Sequence, residues 1–185
     1  DEMTLGVPPN GTALVRLERA LRELDEAERL GGGPTASDAL LLNARGNALG
    51  LMQRWPDAHA AYAAAANAAP KNFESIPRSN AALASYELDE LARAERELRT
   101  LLRRDPAFVD GVALQAVIAY TRGDVGAASA AYASVCETRL WCERYATADA
   151  VLGRWPPRAV AAFERLLEEP AIRLARKNAR ALSAR

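Results

Sequence analysis

The feature that most constrains this chain is an alanine pattern that returns at a nearly fixed step. Ala58, Ala94 and Ala128 follow one another at almost equal spacing. A larger apolar residue stands four positions after each alanine, at Tyr62, Leu98 and Tyr132. Residues four apart share one face of a helix. A fixed period of about 34 residues, close to the spacing seen here, is typical of stacked helix–turn–helix repeats.

Composition agrees with an all-helical chain. The 185 residues include 41 alanines and 24 leucines, two of the strongest helix formers. No segment reads as a strand, and no run approaches the roughly 20 apolar residues of a membrane-spanning helix. A plain bundle with an alanine-rich core has no reason to repeat at a fixed step. We therefore predict an all-α solenoid with a helix before it and a capping helix after it.

Charge and residue usage exclude several functional classes. The 24 basic residues balance the 24 acidic ones, so no global positive field attracts nucleic acid. His59 is the single histidine and there are two cysteines, which excludes a histidine-rich or four-cysteine metal site. A Ser-His-Asp triad would have to be built on His59, which we expect to be an exposed helical residue. Neither an enzyme, a cofactor nor a small-molecule substrate is predicted.

The repeating pattern resembles that of the tetratricopeptide repeat (TPR) family, and this resemblance implies that the solenoid is right-handed. In that family the small residue of the second helix lies where the two helices of a repeat cross closely, and the larger residue fills the same face. The small position of the first helix would be taken by Gly46, Ala82 and Ala116. On this register the first helices span 39–52, 77–88 and 109–121, and the second helices span 55–68, 91–104 and 125–137.

The remaining segments complete the predicted organisation. Thr12 can cap a first helix, and the glycine run 31–33 ends it. The triplet Arg122-Gly123-Asp124 matches a cell-adhesion motif, but it falls where two repeat helices should be joined by a turn. The predicted parts are an extended segment 1–10, a helix 11–30, three repeats 39–70, 75–106 and 109–137, a loop and cap helix 138–169, and a basic tail 171–185.

A Trp-Pro-Pro sequence at residues 155–157 precedes an amphipathic helix. The apolar residues of that helix are Val160, Phe163, Leu166 and Leu167. Proline is well placed in a first helical turn, and every solenoid needs a cap over its last apolar face. A Trp-Pro-Pro helix after three TPRs is similar to a group of cyanobacterial, algal and plant-plastid TPR proteins. That resemblance implies the chloroplast, and the thylakoid lumen in particular, with photosystem subunits as protein partners.

The TPR resemblance also implies a binding groove, because first helices line the concave face of a TPR solenoid. The groove would display Asn43, Asn47, Ile76, Ser79, Asn80, Leu83, Tyr86, Asp110, Ala113, Val117 and Tyr120. Asn47 and Asn80 match asparagines with which co-chaperone TPR proteins hold a C-terminal carboxylate, but the basic partners of that clamp are absent. An uncharged groove suits an extended peptide or a protein loop. Alternatively, the protein's own terminus, such as residues 1–10, fills the groove.

Cys136 and Cys142 are six residues apart. A continuous helix would separate their Cα atoms by about 9 Å, beyond the roughly 4.4–6.8 Å of a disulfide. A bridge therefore needs the helix to break between them, and the repeat register ends a helix near Glu137. A disulfide and two buried free thiols are both compatible with the sequence. A metal site lacks further ligands.

The tail 171–185 carries basic residues and no acidic one. Its cations include Arg173, Arg176, Lys177 and Arg180. A basic helix with a thin apolar stripe can lie on an anionic membrane surface or an acidic subunit. A solvated final helix or a frayed end is the alternative.

Together these features predict a non-catalytic protein–protein interaction scaffold. The Trp-Pro-Pro resemblance implies an accessory subunit or assembly factor of a photosynthetic complex such as a photosystem, peripheral to the thylakoid membrane. The alternative is a soluble cytoplasmic TPR adaptor that binds a peptide segment of its partner. An oxidised Cys136–Cys142 pair favours the first, and reduced thiols favour the second.

Overall fold

A computed structural model describes residues 10–31 and 36–182, and this part of the chain is entirely helical, without strands. Its α-helices are α1 (Gly11–Gly31), α2 (Ala36–Leu51), α3 (Trp55–Ala68), α4 (Ser75–Glu87), α5 (Leu91–Arg104), α6 (Val109–Thr121), α7 (Val125–Val135), α8 (Arg139–Arg144), α9 (Pro157–Glu168) and α10 (Pro170–Leu182), with a short 3-10 helix at Ala148–Ala150. The ends of α2 to α7 lie close to those of the helices predicted from the spacing.

Three hairpins, α2–α3, α4–α5 and α6–α7, are closed by the same turn. Gln53, Asp89 and Gly123 have φ angles of 59°, 64° and 81°, in the left-handed region. In each turn the backbone N–H of the residue with positive φ donates to the carbonyl of the residue three positions before it. The N–H of the following residue donates to the carbonyl five positions before itself. This pair of bonds is the Schellman motif that ends helices. The three turns recur at the same spacing as the alanine pattern.

The predicted turn at Arg122-Gly123-Asp124 is confirmed. Gly123 supplies the left-handed conformation, and an Asp124 carboxylate oxygen accepts the Ala127 amide at 2.8 Å as the cap of α7. The cap of α1 differs from the expected one, because Asn10 accepts the Ala13 amide at 2.8 Å while Thr12 lies inside the helix.

Small residues allow the two helices of each hairpin to approach closely. Ala58, Ala94 and Ala128 are fully buried. In the first hairpin the Tyr62 ring lies directly over Gly46, where a Cβ atom would come within 2.4 Å of a ring carbon. Close packing of α2 on α3 therefore requires glycine at this position.

The buried side chains form two clusters of unequal size. The smaller cluster joins α2, α3 and α4 around Leu49, Ala58 and Tyr62. The larger cluster extends from α4 to α10 and includes Tyr86, Tyr132, Tyr145, Trp155, Phe163 and Ile172.

The C-terminal helices are built into the larger cluster. Phe163 of α9 meets the edge of Trp155 at 5.7 Å between ring centres and that of Tyr145 at 6.3 Å. Helix α9 packs across α4 and α6, and α10 packs on α7, α8 and α9. The Trp-Pro-Pro sequence places Trp155 in the core and starts α9 at Pro157. Across residues 10–31 and 36–182, each helix is too short or too polar to cross a membrane.

Candidate functional site

A cavity of about 540 Å³ lies between α2, α4 and the start of α6, and we call it the central groove. Seven of the residues in its walls were predicted from the sequence: Asn43, Asn47, Ile76, Ser79, Asn80, Leu83 and Asp110. The sequence did not indicate the other lining residues, Leu51, Phe108, Gly153, Arg154 and Trp155. Of these, Gly153 and Arg154 directly precede the Trp-Pro-Pro motif, but nothing in the local sequence places that motif beside α2 and α4.

Three asparagines supply most of the polar groups of the central groove. The Asn80 amide donates from Nδ2 to Asn43 Oδ1 at 3.1 Å. The buried Tyr62 hydroxyl donates to Asn47 Oδ1 at 3.0 Å, and burial raises the pKa of Tyr62, which keeps this donor protonated. These bonds orient the amides and leave Asn43 Nδ2, Asn47 Nδ2 and Asn80 Oδ1 without a partner among the described residues. Such groups can pair with both the carbonyl and the N–H of a peptide.

An ion pair between α6 and the C-terminal segment closes one end of the central groove. The Arg154 guanidinium donates to both Asp110 oxygens, at 2.7 and 3.1 Å. The Tyr145 hydroxyl also donates to Asp110. The bond to Asp110 raises the pKa of Arg154. Burial, followed by the hydrogen bond to Asp110 and then by the Asp110 charge, raises the pKa of Tyr145. Asp110 is therefore a structural anchor whose carboxylate is already engaged.

Three residues predicted to face a partner, Tyr86, Ala113 and Val117, are buried by the chain itself and do not line the central groove, so that expectation is wrong for them. Tyr86 is 1% exposed and Val117 is 0% exposed, because α9 packs across α4 and α6. The Tyr86 hydroxyl lies 2.7 Å from that of Thr121. Tyr120 is half-buried, and its hydroxyl bonds to Glu169 at the end of α9. Burial, and then this carboxylate, raise the pKa of Tyr120.

Arg158 attaches α9 to the turn between α4 and α5. Its backbone amide donates to Glu87 Oε2 at 3.0 Å, and its guanidinium pairs with Asp89. The same guanidinium lies 5.6 Å from the centre of the Tyr86 ring, within cation–π range. Burial raises the pKa of Glu87, although the Arg158 amide and charge oppose this shift.

The structure joins Cys136 to Cys142 by a disulfide, with 4.2 Å between the Cα atoms. The break that such a bridge needs is present, since α7 ends at Val135 and α8 begins at Arg139. Thr138 caps α8 by accepting the Trp141 amide at 3.4 Å. The bridge thereby fixes α8 against the end of the third hairpin.

His59 is not the exposed residue expected from the sequence. Its Nε2 atom lies 2.6 Å from Glu97 Oε1, and its side chain is only 15% exposed. The other Glu97 oxygen accepts the Ser85 hydroxyl at 3.0 Å. The serine is fully buried and donates to the carboxylate rather than to the histidine, so this network ties three helices together and presents no accessible nucleophile. No cluster of three potential metal ligands is found among the described residues.

The basic tail forms α10 as far as Leu182 and is anchored by Ile172, which is fully buried. Arg173 pairs with Glu168, whereas Lys177 is exposed and Arg176 is half-buried. The side chain of Arg180 and residues 183–185 lie outside the described part, as does the segment 1–9 that was considered as an occupant of the groove.

Comparison of the chain with protein-family models, with curated proteins and with solved structures finds no match. The function is therefore argued from the central groove and from the sequence pattern.

Proposed function

We propose that the protein is a TPR-like interaction module whose central groove binds an extended segment of a partner protein. The observation that carries this proposal is the set of oriented asparagine amides beside apolar side chains. Asn43, Asn47 and Asn80 offer free donors and an acceptor, while Leu51, Ile76, Leu83 and Phe108 supply apolar contact. A peptide backbone needs both kinds of contact when it leaves water.

The proposed architecture is a right-handed stack of three TPR-like repeats, 39–70, 75–106 and 109–137. Its support is the period shared by the buried alanines and the three Schellman turns. Helix α9 was predicted to cap the last repeat helix, but it packs on α4 and α6 instead; α10, which packs on α7, is the proposed cap.

The location and the identity of the partner rest on the Trp-Pro-Pro resemblance. We propose a peripheral subunit or assembly factor of a photosynthetic complex in the thylakoid lumen. The Cys136–Cys142 bridge supports an oxidising compartment, because disulfides persist there and are rare in the cytosol. A cytoplasmic adaptor with the same groove is the second candidate, and its cysteines would be reduced in the cell.

Photo-crosslinking from inside the central groove tests the binding function. A benzophenone amino acid replaces Ile76, which lines the groove, and in a control variant it replaces Leu40, which is exposed on α2 outside it. Illumination in a native extract, followed by mass spectrometry, should give one recurrent partner peptide from position 76 and none from position 40. Recovery in the membrane or the soluble fraction separates the photosynthetic from the cytoplasmic proposal.

A double variant adds specificity to this test. Asn43→Ala/Asn80→Ala removes two hydrogen-bonding amides, and at about 1 kcal/mol for each bond the partner affinity should fall by roughly 30-fold. The exposed Asn67 and Asn72 do not line the groove, so Asn67→Ala/Asn72→Ala is the matched control. Equal crosslinking in both double variants would contradict binding through the asparagines.

A further inference from the structure

A second groove runs along the outward face of α6, between α5 and α7, and we call it the outer groove. It consists of two adjoining cavities of about 470 and 530 Å³ that share Leu102 and Gln115 in their walls. Helix α6 has 13 residues, so the outer groove is about 20 Å long. That length matches three to four turns of a bound helix.

One end of the outer groove is cationic. Arg99 and Arg103 are exposed on α5, one turn apart, and neither has an ion-pair partner among the described residues. Arg122 lies in the same wall and pairs with Glu95 at 3.1 Å. Asp124, the other acidic residue there, is engaged as the cap of α7. Two guanidinium groups therefore remain available for carboxylates.

The opposite end of the outer groove is apolar. Its walls contain Pro106, Val109, Val112, Val135 and Trp141, and Glu137 is the one charged residue among those that line it. Leu102, Val109, Val112 and Trp141 are only partly covered by the core. The disulfide between Cys136 and Cys142 holds Trp141 in place at this end.

We propose that the outer groove binds an amphipathic helix of a partner protein that is acidic at one end and apolar at the other. Carboxylates of this helix pair with Arg99 and Arg103, and its apolar residues cover Val112 and Trp141. A nucleic acid fits less well, because α7 adds no cation to the walls and the single aromatic ring lies at the end far from the arginines. This surface is separate from the central groove, so the partner helix can bind whether or not the central groove is occupied.

Selection from a random library of 16-residue peptides displayed on phage tests this proposal. Clones selected on the wild-type protein are then bound to Arg99→Glu, to Arg103→Glu and to Arg96→Glu. Arg96 is exposed on the same helix but does not line the outer groove, so it is the matched charge control.

The expected clones carry Asp or Glu next to a run of apolar residues. Their retention should fall at least tenfold on Arg99→Glu and Arg103→Glu and stay unchanged on Arg96→Glu. A second variant, Val112→Gln, should weaken binding of the same clones at the apolar end, and far-UV circular dichroism checks that each variant is folded.

Failure to enrich clones, enrichment without acidic residues, or equal retention on Arg99→Glu and Arg96→Glu would overturn the proposal. Loss of binding after Asn43→Ala/Asn80→Ala would instead assign the peptides to the central groove.

Discussion

Replacement of Gly46 by alanine should destabilise the protein, although alanine is the better helix former. The added Cβ atom would lie 2.4 Å from one carbon of the Tyr62 ring and 2.5 Å from a second. Ordinary contact begins at 3.4 Å, so the ring must retreat by about 1 Å. Tyr62 projects from α3 towards α2 and is buried, so its ring cannot move without disturbing its neighbours.

The magnitude follows from three terms. Overpacking of a core position costs about 1–3 kcal/mol, and displacing the Tyr62 hydroxyl from Asn47 costs about 1 kcal/mol more. The change from glycine to alanine returns about 1 kcal/mol of helix propensity. The free energy of unfolding should therefore fall by about 2 kcal/mol, and the melting temperature by roughly 4–8 °C.

Urea unfolding followed by far-UV circular dichroism measures this change, and a double-mutant cycle identifies its cause. In a Tyr62→Ala background the new methyl group has space, so Gly46→Ala should become stabilising by up to about 1 kcal/mol. Ala82 holds the equivalent position in the next hairpin, and Ala82→Gly should destabilise the protein by about 1 kcal/mol. A destabilisation by Gly46→Ala that persists without the Tyr62 ring would refute the steric explanation.

Three further predictions concern turns, the disulfide and pH. Gln53→Gly should stabilise the protein by up to about 1 kcal/mol, because the φ of residue 53 is 59° and glycine adopts that conformation without strain. Gly123→Ala places a side chain at a φ of 81° and should destabilise the protein by about 1–2 kcal/mol. Thermal melts of both variants check these opposite signs. Cys136→Ser/Cys142→Ser opens a short loop and should lower the free energy of unfolding by about 2 kcal/mol. Reduction of the wild-type protein should cause the same loss. An unchanged melting temperature would show that the bridge does not stabilise α8. Burial raises the pKa of Glu87, so the folded state favours its protonated form. The stability of the wild type should therefore fall as the pH rises above the ordinary glutamate value of about 4, and Glu87→Gln should lessen that fall. Parallel curves of stability against pH for both proteins would rule the shift out.

Local pattern was sufficient to predict the helices and turns of the three hairpins. The alanine period marks where two neighbouring helices touch, and that information lies within the short stretch of sequence that forms one hairpin. Seven lining residues of the central groove could also be predicted from local pattern, because they share one face of α2 and α4 or lie at the start of α6.

What the sequence did not show depends on contacts between distant segments. The amphipathic pattern of α9 shows that it must bury one face, but not that this face covers Tyr86 and Val117. Arg154 meets Asp110 across 44 residues of sequence, and His59 meets Glu97 across 38. Pairings of this kind are set by how the hairpins stack, which no short-range spacing encodes.

The unequal sizes of the two buried clusters have a consequence for how the protein opens. Arg154 and Arg158 tie the end of the chain to α6 and to the α4–α5 turn, so that α4 to α10 share one large core. Helices α1 and α2 share only the small cluster with α3 and α4. Amide hydrogens of α1 and α2 should therefore exchange with solvent through local opening, whereas those of α6 and α9 should exchange only on global unfolding. Because α2 also carries Asn43 and Asn47, we expect one wall of the central groove to open before the larger core does.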